Sequence, residues 1–368
     1  MHFGLFNLMT QRERGANAKS IFAEMVEQVR LADQGGFDVA WFAEHHFSNY
    51  CLCPSPTAMA IHLAGLTKRI RLGPAVVVVP LHHPLRMIEE LAMLDALSDG
   101  RAVIGLGSGY QQYEFHKFGV DIAKGRDIFL ETLDLLEQYL DSGTVDYSGK
   151  HVSAPQTHFS LRMSQARPPI YVAGLGNDPE TQARGARHGY VPIFTTGWST
   201  LEQVRVVRDK VAASFAAAGG DRDRAPYAYQ RYICVTDDRD EARRAVEGAR
   251  YIRRIAMAMR GRYAELDGAY LKEIPAPDEP DLETLVERML VGPPAKIAER
   301  LIAEFEVLKP THVSCFMGIA GLPHARVMKS MERFVTEVVP QIERHFGGLE
   351  RVGAGEPRGK LDAVAAAQ

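Results

Sequence analysis

Four cysteines are all that the 368 residues contain, and none of them forms a CxxC pair or a zinc-ligand spacing. Cys51 and Cys53 flank a single leucine. A disulfide between such near neighbours would be strained, so both read as free thiols of a reducing compartment. Cys234 and Cys315 sit in apolar runs and read as packing residues. Basic excess is missing too: 43 Lys and Arg face 46 Asp and Glu, for a net charge of -3. That excludes the basic face expected of a nucleic-acid partner. No apolar run approaches the roughly 20 residues of a membrane helix. The N-terminal residues begin a strand at once and lack the basic-then-apolar order of a signal peptide, so a cytoplasmic location is expected. No GxGxxG follows the first strand, which weakens an open, doubly wound nucleotide-binding sheet.

What is present is a rhythm. Hydrophobic residues make up 46% and charged residues 24%, the balance of a globular protein. Strand patterns fall at 2–8, 38–43, 71–79, 102–106, 170–173, 191–194, 229–235 and 311–317. Val76 to Val79 is apolar on both faces, as suits a parallel strand covered on both sides. Helical periodicity fills the gaps at 19–34, 56–68, 85–97, 125–141, 179–188, 200–218, 238–259, 282–290, 294–308 and 323–345. Eight strands alternating with helices predict an α/β fold, a closed (β/α)8 TIM barrel spanning 1–346 as one domain. Two insertions interrupt it: a surface hairpin within 142–165, and a segment at 260–281 with Pro275, Pro277 and Pro280 that reads as a lid. The Gly- and Ala-rich residues 347–368 read as a disordered tail.

Barrel chemistry sits at the carboxyl ends of the strands. Strand two ends in Glu44-His45-His46, strand four runs into Gly107-Ser108-Gly109-Tyr110, and strand five into Gly174-Leu175-Gly176-Asn177-Asp178. Adjacent histidines point in different directions, so His45 and His46 do not suit one metal. One of them fits a structural hydrogen bond and the other an acid–base group. The glycines permit close backbone approach to a ligand. The turn before Pro179-Glu180 is either a phosphate-binding helix N-terminus or a plain turn with Asp178 as N-cap. Aromatic residues near the strand ends (Phe6, Tyr110, Trp198, Phe316) suit a flat, largely apolar ligand or ordinary barrel packing.

Ala43 to Phe47, Leu72 to Pro80 with His83-Pro84, Leu94 to Arg101, and Gly321 to His324 through Val338-Val339-Pro340 resemble, in the same order, the bacterial luciferase-like flavin monooxygenases. The resemblance runs from residue 1 to about 345. It implies a barrel, usually dimeric through helices two and three. It also implies reduced FMN (a deazaflavin in one branch) at the strand ends, no metal, and often a separate flavin reductase. In that family oxygen adds at the flavin C4a carbon and the resulting (hydro)peroxide oxygenates a small organic substrate. Residue by residue, His45 matches the catalytic histidine. Ala75-Val76 fall where the family often has a non-prolyl cis peptide under the ring, and Gly107, Ser108 and Gly109 lie near the ring and ribityl chain. Gly174, Leu175, Gly176, Asn177 and Asp178 match the phosphate loop, and Trp198 lies near a ring-adjacent tryptophan. The chain departs from luciferase itself, which has Cys and Arg at the places of Gly107 and Ser108. Luciferase also has Glu, Ser and Thr at those of Gly174, Leu175 and Asp178. Light emission is not implied, and the phosphate is expected to rest on backbone amides and a cation, with Arg184 and Arg187 as candidates.

The expected function is a flavin-dependent monooxygenase acting on a small, apolar organic substrate, working with a reductase and assembling as a homodimer. The alternatives are a deazaflavin-dependent oxidoreductase, a non-catalytic flavin-binding protein and, from a different class, a metal-dependent barrel hydrolase.

Overall fold

The computed structural model describes residues 1–174, 178–277 and 279–353. Eight parallel staves form the barrel: β1 His2–Asn7, β2 Val39–Phe42, β3 Arg71–Pro74, β4 Ile104–Gly107, β5 Ile170–Ala173, β6 Val191–Thr195, β7 Ala228–Val235 and β8 His312–Phe316. The third stave is broken. Val77–Val78 continues it and pairs with Leu106 and Gly107 of β4. Counting both pieces, nine parallel segments follow one another round the sheet. Leu72 of β3 also bridges Ala102, just ahead of β4, which brings the two ends of the sheet together. Close approach here needs glycine: a Cβ on Gly73 would lie 2.1 Å from the Val103 carbonyl oxygen, and one on Gly105 2.0 Å from that of Pro74.

The surrounding helices are α1 Ala18–Gly35, α2 Pro56–Ala64, α3 Pro84–Leu97, α4 Gln112–Phe118, α5 Gly125–Ser142, α6 Pro179–His188, α7 Leu201–Ala217, α8 Arg239–Ala258, α9 Leu282–Arg288, α10 Pro294–Leu308, α11 His324–Arg333 and α12 Val339–Phe346. Their ends follow local chemistry. Asn17, Ser55, Asp178, Asp238 and Asp281 cap amides of the first turn, and Thr200 with Gln203 forms a reciprocal capping box. The expected hairpin is present as Thr144–Ser148 against Ser153–His158.

Four expectations need correction. Helix α4 lies where no element was predicted; Gln111 offers no side-chain cap, and only Gly119, left-handed at φ 71, marks its end. Helix α9 stops at Arg288, and Leu290–Gly292 instead extends in parallel along β7, because Leu290 and Val291 are buried there. The single helix expected over 323–345 is divided by a π turn at Phe334–Val338. Pro340 lacks the amide that would bond four residues back, so the regular ladder cannot run through. The tail expected from 347 begins later: Leu349 and Val352 are buried, and the Met1 ammonium donates to the Leu349 carbonyl over 3.1 Å. Residues 354–368 lie outside the described residues.

The barrel floor is plugged by Val39, Trp41, Val103, Tyr171 and Ala228. Trp41 Nε1–H donates to His312 Nε2 over 2.9 Å, and the Tyr171 ring stands edge-on to Trp41 at 5.0 Å. Burial, reinforced by His2, lowers the His312 imidazole to about 3, so it stays neutral and accepts. Gly4 leaves room for this pair: a Cβ there would sit 2.6 Å from both bonded nitrogens. Gly4→Ala is therefore expected to destabilise the fold by about 1–3 kcal/mol through overpacking, read from denaturant unfolding.

Candidate active site

The site begins where β2 leaves the sheet. Beyond Phe42 the chain stays extended, with the Ala43 amide on the Asn7 carbonyl at 3.1 Å and the Ala75 amide on the Phe42 carbonyl at 2.7 Å. Glu44 is then buried. Its Oε1 accepts from His46 Nε2 at 3.0 Å and His82 Nε2 at 2.8 Å, and its Oε2 from the Val78 amide at 3.0 Å. Burial alone would raise this carboxyl. The two imidazoles and the amide reverse that and hold it below its usual range. Burial likewise opposes charge on His82, but Glu44 lifts that imidazole above its ordinary value.

With Glu44 turned toward the third stave, His45 turns the other way, into the cavity. Its Nδ1 lies 2.9 Å from Glu114 Oε1, and the same oxygen accepts the His46 amide at 2.8 Å. A carboxylate oxygen can only accept from both, so the imidazole proton sits on Nδ1 and Nε2 is left for a bound molecule. Glu114 belongs to α4, the helix that sequence reasoning missed, and is itself buried. The Tyr50 ring meets His45 edge-on at 4.6 Å. Burial and the neighbouring Tyr110 raise the Tyr50 hydroxyl well above its ordinary value, so it remains a neutral donor.

These groups open into a cavity of about 510 Å³, within the range of small-molecule sites. One wall is backbone. The Ala75–Val76 peptide is cis, as the resemblance implied. Gly107 is pressed against Val76, where a Cβ would lie 2.6 Å from a Val76 methyl, and Gly109 against Phe115 at 2.4 Å. The inner wall is aromatic, with Phe316 between Phe6 at 5.1 Å and Tyr232 at 4.7 Å. Gly174 and Asp178 close the β5 end. Asp178 accepts the Thr181 amide at 3.0 Å and an Arg126 guanidinium N–H at 2.7 Å. Burial would raise the Asp178 carboxyl, but Arg126 and the amide take it below its usual value. The roof is the last part of α8, whose Ile252, Arg253 and Ala256, with Arg260 just beyond, line the cavity.

Of the residues expected at the site, His45, Ala75, Val76, Gly107, Gly109, Gly174 and Asp178 share this one cavity. Ser108 is buried behind the lining, its Oγ 3.4 Å from where a Gly174 Cβ would be. Trp198 is brought to the main core rather than to the cavity wall. Leu175, Gly176 and Asn177 lie outside the described residues. Arg184 is not the phosphate cation: its guanidinium pairs with Asp134 and, at 2.8 Å, Glu137. Arg187 does not line the cavity either. Among the described residues of the segment 260–281, only Arg260 reaches the lining; its short ladder hangs on the β2 loop instead, with the Leu271 amide on Asn49 Oδ1 at 2.9 Å. Helix α8 contributes Ile252, Arg253 and Ala256 to the lining. The residues missed were Glu114, Gln230, Tyr232, Arg126 and the α8 arginines. Only the last had a readable signal, since Ile252, Arg253, Ala256 and Arg260 recur on one helical face. Among the described residues, no three or more His, Cys, Asp or Glu form a metal-binding group, and no helix is long and apolar enough to cross a membrane.

The barrel and its site define an α/β-barrel protein with a small-molecule cavity at the carboxyl ends of its strands. A family model described as luciferase-like monooxygenase matches residues 1–311, and the chain belongs to that family. It is 33% identical to the uncharacterised protein y4vJ of Sinorhizobium fredii over 95% of this chain and all of that one. It is 26% identical to the oxygenase component of the flavin-dependent trigonelline monooxygenase of Acinetobacter baylyi, over 92% of this chain and 95% of that one. The structure of the oxygenating constituent of 3,6-diketocamphane monooxygenase from Pseudomonas putida, a Baeyer–Villiger enzyme in complex with FMN, shares the fold. Its TM-score is 0.73 at 23% identity, covering 93% of this chain and 98% of that one.

Replacing Glu44 tests the hub of the site. Its contribution is present above its unfolded value of 4.5 and fades as pH falls through the lowered pKa. The contribution of His82 is complete below 6.5 and fades as pH rises through the raised pKa. Glu44→Gln should cost about 1–3 kcal/mol, with the loss greatest between pH 4.5 and 6.5 and smaller on either side. Chemical denaturation of both proteins across that range checks it.

Proposed function

We propose that this chain is the oxygenase component of a two-component flavin monooxygenase, binding reduced FMN in the cavity beneath α8. The observation that carries the reading is His45, fixed by Glu114 with Nε2 unengaged, at the wall of a cavity with one backbone side and one aromatic side. The residues fit the cofactor. The flat wall of Ala75, Val76, Gly107 and Gly109 would lie under the isoalloxazine. Gly174 and the start of α6 would receive the phosphate, and Arg126, held at that end by Asp178, would be its cation, since Arg184 and Arg187 do not line the cavity. Reduced FMN supplies two electrons, so that one atom of dioxygen enters the substrate and the other leaves as water.

The protein's own part is positional. His45 Nε2 gives or takes a proton at the reacting oxygen while Glu114 keeps Nδ1 protonated. Tyr50 offers a neutral hydroxyl beside it. Phe6, Tyr232 and Phe316 keep one side of the reacting centre dry, and α8 covers it, which limits loss of activated oxygen as hydrogen peroxide. Reduced flavin would come from a separate reductase, as the name of the Acinetobacter baylyi relative, an oxygenase component, suggests for that protein.

An anaerobic titration tests the cofactor. Reduced FMN should bind more tightly than reduced deazaflavin, and Arg126→Gln should weaken FMN about tenfold while sparing reduced riboflavin. Preference for deazaflavin would replace oxygenation with hydride transfer. His45→Ala should keep flavin affinity but uncouple the reaction, with hydrogen peroxide rising as product falls; unchanged coupling would remove His45 from the mechanism.

The same reading makes the protein a homodimer through α2 and α3. Exposed Leu66, Met93 and Leu97 on and beside these helices support it. Leu97→Glu should shift sedimentation from dimer to monomer; a wild-type monomer would end the proposal.

A further inference from the structure

The charges around the cavity do not balance locally. Three carboxylates line it, and each is already engaged: Glu44 by two imidazoles and an amide, Glu114 by His45 and the His46 amide, Asp178 by Arg126 and the cap of α6. The two arginines in the lining, Arg253 and Arg260, are exposed and form no ion pair among the described residues. Of the other arginines on the helix, Arg239 and Arg244 also form no ion pair among the described residues but do not line the cavity, and Arg250 lies 4.0 Å from Glu279. Arg243 pairs with Glu283, and Arg254 with Glu273 and Glu279. What sets Arg253 of α8 and Arg260 just beyond it apart is that they are unpaired among the described residues and line the cavity.

Their position separates them from the phosphate end. The end of α8 packs on the loops after β2 and β4: the Gln111 amide donates to the Ala256 carbonyl at 3.3 Å, the Tyr113 N–H to the Met259 carbonyl at 3.2 Å, and Asn49 Nδ2 to the Tyr251 hydroxyl at 2.9 Å. Those loops hold His45, Tyr50 and Tyr110. Arg126 and Asp178 belong to the start of α5 and the N-terminus of α6. One cavity thus has Arg126 with Asp178 at its β5 end, and Arg253 and Arg260 on the side where α8 meets the loops after β2 and β4.

We infer that Arg253 and Arg260 form an anion subsite for the substrate, which is an organic carboxylate with an aromatic or aliphatic body. The carboxylate meets the guanidinium forks, which match its planar pair of oxygens. The body lies along Tyr110, Tyr232 and Phe316, and the carbon to be oxygenated faces His45. An apolar substrate was expected from the sequence; the arginines add a charged end to an apolar body. The inference rests on the proposed flavin reading.

The test uses a panel of aromatic and medium-chain carboxylic acids, each beside its own primary amide, with binding to the FMN-loaded and the flavin-free protein read by calorimetry and thermal shift. At least one acid should bind about tenfold more tightly than its amide, less so at high salt. Arg253→Gln and Arg260→Gln should each reduce that preference, and Arg253→Lys should retain part of it. If no acid exceeds its amide, or the preference survives both glutamine variants, the inference falls. If the glutamine variants weaken reduced FMN but not reduced riboflavin, the arginines serve the cofactor phosphate, and the substrate assignment is overturned while the flavin reading stands. Failure of the wild type to bind reduced flavin overturns the proposed function instead, and the acid preference of the flavin-free protein then decides the subsite by itself.

Discussion

A buried carboxylate organises the mouth of this barrel. Glu44 gathers donors from three places: His46 on its own loop, the Val78 amide on the continued third stave, and His82 beyond it. A carboxylate removed from water is costly unless its lone pairs are met, and here both oxygens are engaged. Moving any of the three segments would break that satisfaction. The Glu44 side chain therefore fixes where the chain runs after β2, and hence that His45 projects into the cavity and not into the wall. Glu114 repeats the arrangement one layer outward by holding the His45 ring and the His46 amide with a single oxygen.

The two ends of the barrel differ in kind. At the floor, Trp41, His312 and Tyr171 make a close-packed neutral plug, and burial keeps the imidazole uncharged. Entry there would require breaking the buried Trp41–His312 hydrogen bond. At the mouth, charge is abundant but sorted. The carboxylates that line the cavity are held by partners, whereas Arg253 and Arg260 form no ion pair among the described residues. Charge left unpaired beside a partly apolar cavity is available to a ligand at little reorganisation cost, and it favours one sign of ligand.

Local signals made much of the barrel legible. Of the strand that Val76 to Val79 announced, only Val77–Val78 forms, buried on both faces, whereas β5, α6 and α10 fall at the residues their patterns predicted. The single departure inside a strand, the break of the third stave at Ala75–Val76, was marked only by likeness to known proteins, because nothing in the alternation of Ala and Val distinguishes it. Helix α4 was illegible for a different reason. Seven residues with no side-chain cap at the start have little propensity of their own, and it is the contact of Glu114 with the β2 loop, distant in sequence, that gives the segment its place. The division of the last helix at Phe334–Val338 follows from Pro340, a local cause that periodicity overlooks.

By itself the sequence determined the alternation of strand and helix, the glycines that let neighbouring staves approach, and the concentration of ionisable residues at the end of β2. These depend on residues close together in the chain, where side-chain period, caps and turn chemistry act directly. Only the tertiary structure decided which of two adjacent histidines faces the cavity, that Arg184 is consumed by Asp134 and Glu137 while Arg126 stands by Asp178, and that Arg253 and Arg260 line the same cavity as His45. Each of these depends on which charges meet across the barrel. A guanidinium group looks the same in the sequence whether its carboxylate is 3 Å away or absent, and folding settles which.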